Sequence, residues 1–257
     1  IIAEDITVFS APLIIDGIGV CCENRDYHYL LGNLRFTKRF GRVPNSEQDE
    51  KKEALVKDMV DTMLSKQVDG IIYISRQSRN TVPLSDCKGT RCVSVYGSVR
   101  SEDIPSVSYD EFDAAHNVAE LLIRKGHTNI GMIAGPIGSL NAANRVQGFQ
   151  QSLFEHGILY SPRLTRFCDW DYDKAYASVG ELIQSGATAI FAHNDAMAMG
   201  VVDYCNKNGV AIGADFPVIG FDNREIAEVC RPSLTSVSVP FFEMGYKAAE
   251  IMLDMLE

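Results

Sequence analysis

A chain of 257 residues, 46% hydrophobic and 23% charged, has enough apolar content for one large core or two smaller ones, which excludes a disordered or fibrous polymer. Its formal net charge of −10 argues against this segment gripping a phosphate backbone by itself, because that affinity rests on clustered Lys and Arg. No apolar run approaches the roughly 18 residues of a membrane span, and the first residues lack the order of a signal peptide, so no membrane partner is expected.

In chain order, short apolar runs alternate with helical patterns. Strands are expected at 1–3, 29–31, 70–74, 92–95, 130–134, 189–192 and 218–221, and helices over 50–66, 111–125, 143–156, 173–185, 196–208 and 242–256. Gly126, Gly157, Gly186 and Gly209 stand just past helix ends, where a left-handed residue is needed. This alternation predicts an α/β fold of parallel sheets with crossover helices. The chain opens on what reads as the tail of a first strand and closes within a helix, so both ends read as cut from a longer protein.

The polar stretch 35–52, which holds Gly41 and Pro44, is too long for an ordinary connection. It reads as a solvated surface insertion, with a partner-binding loop built on Arg35, Lys38, Arg39 and Arg42 as the alternative. Seven cysteines, an odd number without CxxC spacing, predict reduced thiols and a reducing cytosol rather than a disulfide framework.

Two strand ends carry the strongest chemical signal. The run Ala189-Ile-Phe-Ala192 stops on His193-Asn194-Asp195, and Val218-Ile-Gly-Phe221 stops on Asp222-Asn223, so buried strands deliver amide and carboxylate groups to the carboxyl edge of a sheet. Open α/β sheets bind ligands at that edge. Asn194 offers a donor and an acceptor together, as a sugar hydroxyl requires, while Asp195 suits the cap of the following helix. Asp222 would be costly at the end of an apolar strand unless it accepts hydrogen bonds, from a ligand or as the cap of a helix starting near 224. Arg145 carries a rigid fork of donors suited to a hydroxyl pair, a carboxylate or a phosphate; the plainer alternative is an exposed helix arginine. Trp170, the only tryptophan, lies in a stretch too charged for a core strand, where its ring could cover the apolar face of a sugar or pack at a hinge.

Enzyme chemistry finds little support. Gly17-Ile-Gly-Val begins like a dinucleotide fingerprint but lacks the third small residue and reads as helix interior. No GxSxG, GxxxxGK[ST] or HExxH motif occurs, and the five histidines show no ligand spacing, so neither catalysis, a cofactor nor a metal is expected.

A series of short motifs resembles the effector-binding core of the LacI/GalR family of bacterial transcription regulators: Val68-Asp-Gly-Ile-Ile72, Gly126-His-Thr-Asn-Ile130, Gly135-Pro136, Arg145-Val-Gln-Gly-Phe149, Asn194-Asp195 with Met197-Ala198 and Gly200, Gly220-Phe-Asp-Asn223 and Pro232-Ser-Leu-Thr-Ser-Val237. The resemblance implies two similar Rossmann-like lobes of the periplasmic-binding-protein type, one from 1–126 completed by 239–257 and the other from 127–238. It further implies a small-molecule effector held between the lobes, a homodimer, a cytoplasmic setting, and operator DNA contacted through an N-terminal helix-turn-helix that precedes this segment. By position in the family pattern, Asp5, Ser10, Asn141, Arg145, Trp170, Asn194 and Asp222 are the candidate ligand residues, with loop capping the alternative for Asp5 and Asn141. Val8-Phe-Ser-Ala11 departs from the Asn-Pro and paired aromatics common there, and Val239 replaces a frequent Gln, so the family's ligands do not transfer directly. A sugar or sugar derivative is the expected effector, with a nucleobase or another polar metabolite still open. An exported solute-binding protein of the same fold is the second reading and an α/β enzyme the third.

Overall fold

A computed structural model describes residues 1–41, 46–76, 84, 87, 89–97, 104–213 and 216–257. In chain order the elements are β1 (Ile2–Ala3), α1 (Ser10–Asn24), β2 (Gly32–Asn33), α2 (Phe36–Phe40), α3 (Asp49–Ser65), β3 (Gly70–Ile74), β4 (Arg91–Val95) and β5 (Ser106–Val107). They continue with α4 (Glu111–Arg124), β6 (Ile130–Ala134), α5 (Leu140–Glu155), β7 (Thr165–Phe167), α6 (Tyr172–Gln184), β8 (Ala189–Ala192), α7 (Asp195–Asn208), β9 (Val218–Asp222), α8 (Glu225–Val229), β10 (Thr235–Ser238) and α9 (Phe241–Leu256). The strands form two five-stranded parallel sheets, ordered β2-β1-β3-β4-β5 and β10-β9-β8-β6-β7. The expected α/β architecture of parallel sheets with crossover helices is what the chain adopts.

Two compact units result, one of residues 1–109 with 240–257 and the other of 110–239. The sequence reading carried the first lobe through residue 126, but α4 packs against α5 and so sorts with the second unit. Strands β3, β6 and β8 read as unbroken apolar runs because helices cover both faces of their sheets.

In the first unit, α9 returns to lie against α1, and the crossing rests on glycines. A methyl group on Gly17 would overlap the Phe242 carbonyl oxygen, and one on Gly245 would overlap the Ile14 carbonyl oxygen. Gly17 thus packs inside α1, the helix-interior position expected of it. Gly245→Ala is expected to destabilise the chain by about 1–3 kcal/mol through overpacking, read as a lowered urea midpoint with unchanged slope.

Several expectations change. The strand placed at 29–31 lies at Gly32–Asn33, where it pairs with Ile2–Ala3. The polar stretch 35–52 is mostly exposed over its described part, but it is anchored at both ends: Phe36 is fully buried in the first core, and buried Lys52 reaches Asp49 at 2.6 Å on α3. Arg42 and Pro44 lie outside the described residues. Cys87 and Cys92 are joined in a disulfide where reduced thiols were expected, the start of β4 standing beside the residue five positions earlier; Cys21, Cys22, Cys168, Cys205 and Cys230 are free and buried. No helix among the described residues is long and apolar enough to cross a membrane.

Candidate functional site

The second sheet changes direction of build between β6 and β8. From β6 the chain passes through α5 to β7 on one side, then through α6 to β8 on the other, so the carboxyl ends of β6 and β8 flank a switch point. Gly135 follows β6, His193 and Asn194 follow β8, Asp222 ends β9, and Trp170 lies three residues beyond β7. Four of the five strands deliver these groups to the same edge because all five run parallel.

Arg145 reaches this edge from the second turn of α5, and its side chain is only 3% exposed. Its Nε donates to Glu111 Oε2 at 2.5 Å, one amino group donates to the His193 carbonyl, and the other lies 4.0 Å from Asp222 Oδ1. The guanidinium carbon sits 3.6 Å from the centroid of the Phe221 ring and 5.7 Å from that of Trp170, so two aromatic faces take up the charge that water would otherwise solvate. Glu111, at the first position of α4 and 2% exposed, also accepts from the Asn141 side-chain amide. Asn141 and Arg145, one helical turn apart, therefore share one carboxylate.

Asp222 is the least comfortable group here. Burial pushes its carboxyl up to about 8; Arg145 pulls it down, while Asp195 and Glu111 push it further up. Its backbone has φ of 100° and Asn223 follows at 48°, both in the region that favours glycine, and Asp169 and Trp170 share that feature at 55° and 61°. Left-handed non-glycine residues at the carboxyl ends of β7 and β9 are strain of the kind that accumulates at ligand sites. The neighbouring His193 ring is fully buried, its Nδ1 accepts from the Gly135 amide at 3.4 Å, and its pKa is held well below the usual value by burial and by Arg145. Gly135 has no room for a side chain, because the Trp170 indole lies where its Cβ would be.

Of the seven candidate residues, Asn141, Arg145, Trp170 and Asp222 meet at this edge. Asn194 stands beside them, but its Oδ1 accepts from Met197 N at 2.7 Å and caps α7. The cap expected of Asp195 thus belongs to Asn194. Asp195 is instead fully buried and ties elements together, accepting from Arg224 N at 2.6 Å and from Ser236 Oγ at 2.5 Å. Nor is Asp222 the cap of α8, whose N-cap position is Arg224.

Asp5 and Ser10 belong to the first unit, at the carboxyl end of β1. Both are buried. Burial alone would raise the Asp5 carboxyl, but hydrogen bonds from Thr7 N at 2.9 Å, Thr7 Oγ1 at 2.6 Å and Thr37 N at 2.7 Å outweigh it and lower its pKa. That is the geometry of a loop-capping carboxylate. Ser10 is the first residue of α1.

Sequence reasoning missed Glu111 and the structural part played by His193. An acid in the first turn of a helix is expected on dipole grounds alone, and Asp110 already supplies the cap there, so Glu111 carried no separate signal.

The chain matches the family described as periplasmic binding protein-like domain over residues 119–257. The HTH-type transcriptional repressor CytR of Escherichia coli strain K12 is 27% identical over 247 residues, covering 95% of this chain and 68% of that protein. Catabolite control protein A of Priestia megaterium is 33% identical over 214 residues, covering 82% of this chain and 64% of that protein. Among solved structures, the transcription regulator CcpA of Lactococcus lactis superposes with a TM-score of 0.76 at 27% identity, covering 99% of this chain and 89% of that one. The transcriptional regulator CelR in complex with cellobiose has the same TM-score at 24% identity, covering 99% of this chain and 76% of that one.

Proposed function

We propose, from the premise that this chain belongs to the LacI/GalR family of transcription regulators and is its periplasmic-binding-protein-like effector core, that it binds a small polyhydroxylated metabolite, a sugar or sugar derivative, at the carboxyl edge of its second sheet. The observation that carries the reading is the set Arg145, Asp222 and Trp170. A guanidinium amino group and a carboxyl group 4.0 Å apart suit two adjacent hydroxyls, and the indole offers a flat apolar face to the carbons between them. Asn141 and Asn194 add amide groups at the rim, and Asp5 and Ser10 are the corresponding positions at the carboxyl edge of the first sheet. CelR, which shares the fold, holds cellobiose.

Regulation follows if the effector favours one conformation of the whole regulator over another, since equal affinity for both shifts nothing. We read the core as a homodimer, because paired DNA-binding heads read paired half-sites, and sedimentation velocity at micromolar concentration tests this. Operator DNA is assigned to the helix-turn-helix part of such a regulator and not to these residues, whose net charge is −10. The regulators among its relatives favour this reading over an exported solute carrier or an enzyme.

Trp170 makes the test direct, because the chain holds no other tryptophan. Titration with sugars, nucleobases and phosphorylated metabolites should produce a saturable change in indole emission for one compound class, together with a raised melting temperature. Arg145→Lys, which keeps the charge but loses the fork, should weaken that ligand by roughly 10-fold or more. An unchanged dissociation constant in this variant would refute the assignment of the site.

A further inference from the structure

At the end of the α4–α5 pair opposite Glu111 and Arg145 stands a second cluster of ionisable side chains, half-buried at His116 and Glu120 and exposed at Glu155 and His156. The two helices run side by side in the same direction, and Gly148 lets the α5 backbone approach the Phe112 carbonyl of α4. His116 and Glu120, four residues apart, share one face of α4. Glu155 closes α5 and His156 follows it. His116 Nε2 lies 2.8 Å from Glu155 Oε2, and His156 Nδ1 lies 3.2 Å from Glu120 Oε1. One ligand atom from each of His116, Glu120 and Glu155 falls within 4.8 Å of the others. These side chains are between 20% and 45% exposed, open enough for an ion to enter yet held by their surroundings.

That holding is specific. The Phe112 ring lies nearly parallel to the His116 imidazole, with centroids 6.4 Å apart and planes at 18°. Gln151 Nε2 donates to Glu155 Oε1 at 2.7 Å, on the carboxylate oxygen that does not face His116, and Ser152 Oγ donates to Glu120 Oε1 at 3.0 Å. Groups that fix the orientation of imidazoles and carboxylates are what a metal site needs behind its ligands.

We infer that His116, Glu120 and Glu155 form a three-ligand binding site for a divalent transition metal of the zinc type, with water to complete the coordination. An imidazole ligand beside two carboxylates favours zinc, cobalt or nickel over magnesium or calcium, which take oxygen ligands almost exclusively. Donors around zinc stand at about 2.0–2.2 Å from the ion. The His116–Glu155 spacing of 2.8 Å and the 4.8 Å limit bracket the edges of such a tetrahedron, so modest rotamer shifts convert the existing contact into coordination. His156 stays outside the set, because its Nδ1 donates to the Ser152 carbonyl at 3.0 Å. Binding requires an imidazole neutral at the coordinating nitrogen and releases any proton carried there. The ion cross-links α4 to α5, the helices that carry Glu111 and Arg145, but the proposal stands apart from the effector site.

The test uses the purified chain after dialysis against a chelator. Calorimetric titration with zinc should give a single ion per chain and a raised melting temperature. Cobalt should give the visible absorption of a tetrahedral nitrogen and oxygen site without a thiolate charge-transfer band. His116→Ala should weaken binding by at least the roughly 10–100-fold that loss of a mere outer-shell partner costs. Glu155→Gln, at a position exposed enough to be tolerated, should do the same, with circular dichroism showing an intact fold. Absence of binding, a thiolate band that assigns the ion to the free cysteines, or undiminished affinity in folded His116→Ala or Glu155→Gln would each overturn the proposal.

Discussion

Replacing Arg145 with alanine is expected to cost about 3–5 kcal/mol of folding stability, the penalty of breaking a buried ion pair from one side. Glu111 and Arg145 are 2% and 3% exposed, so water cannot take over when one of them is lost. Three losses coincide in the variant. The Glu111 carboxylate keeps Asn141 but loses its counter-charge, the His193 carbonyl loses a donor, and the space between the Phe221 and Trp170 rings is left empty. Arg145→Met separates these contributions, because it keeps the apolar stem against the rings and removes only the charge and the donors. Adding Glu111→Gln to Arg145→Met should then recover much of the loss, since an amide in place of the carboxylate removes the stranded charge. Urea denaturation of the parent, Arg145→Met, Glu111→Gln and the double variant closes the cycle. A loss under about 1 kcal/mol in Arg145→Ala would mean that Glu111 is solvated or neutral in the folded chain and that the pair does not organise the site.

How much of this was legible beforehand depends on what each residue had to announce. Strands β3, β6, β8 and β9 stand near the expected positions because helices cover both sheet faces and force continuous apolar runs. Strands β5, β7 and β10 were not expected. They read Ser-Val, Thr-Arg-Phe and Thr-Ser-Val-Ser, lie at sheet edges and are partly exposed, so nothing in their composition separates them from loops. Asn194 and Asp222 stood out because polar groups at the ends of apolar strands are costly unless used, whereas Asn141 and Arg145, on a helix, were placed by the family resemblance. Glu111 could not stand out in that way, since its partner lies 34 residues further along. Asn194 took the capping role expected of Asp195 for a simpler reason: either can cap a helix, and a shift of one residue in the helix start decides which one does. The disulfide between Cys87 and Cys92 is likewise a matter of where two loop and strand positions meet, which counting cysteines cannot supply.

The second large effect concerns pH. Asp222→Asn should match the parent in stability only below pH about 4 and exceed it progressively from there up to about 8, where the parent carboxyl titrates. The sign follows from proton counting. Between the ordinary carboxylate value of about 3.9 and the folded value, the native chain holds a proton on Asp222 that the unfolded chain has released. Folding takes up that proton, so stability is fully present below the lower value and is lost as pH rises through the upper one, with a slope approaching ~1.4 kcal/mol per pH unit from this group alone. Asp5 has the opposite sign, because its lowered pKa makes it a source of stability that is lost only as the pH falls through its folded value. The two windows do not overlap, and urea midpoints measured between pH 5 and 8 isolate Asp222. Parallel curves for parent and variant would show that Asp222 is ionised throughout. The same proton gives the effector a thermodynamic signature. Ligand hydroxyls that donate to the Asp222 carboxylate stabilise its ionised form, so binding near neutrality should release a proton, and the calorimetric heat should vary with the ionisation enthalpy of the buffer. In Asp222→Asn that dependence should vanish even if binding persists, which separates the chemistry of this one carboxyl from the overall fit of the ligand.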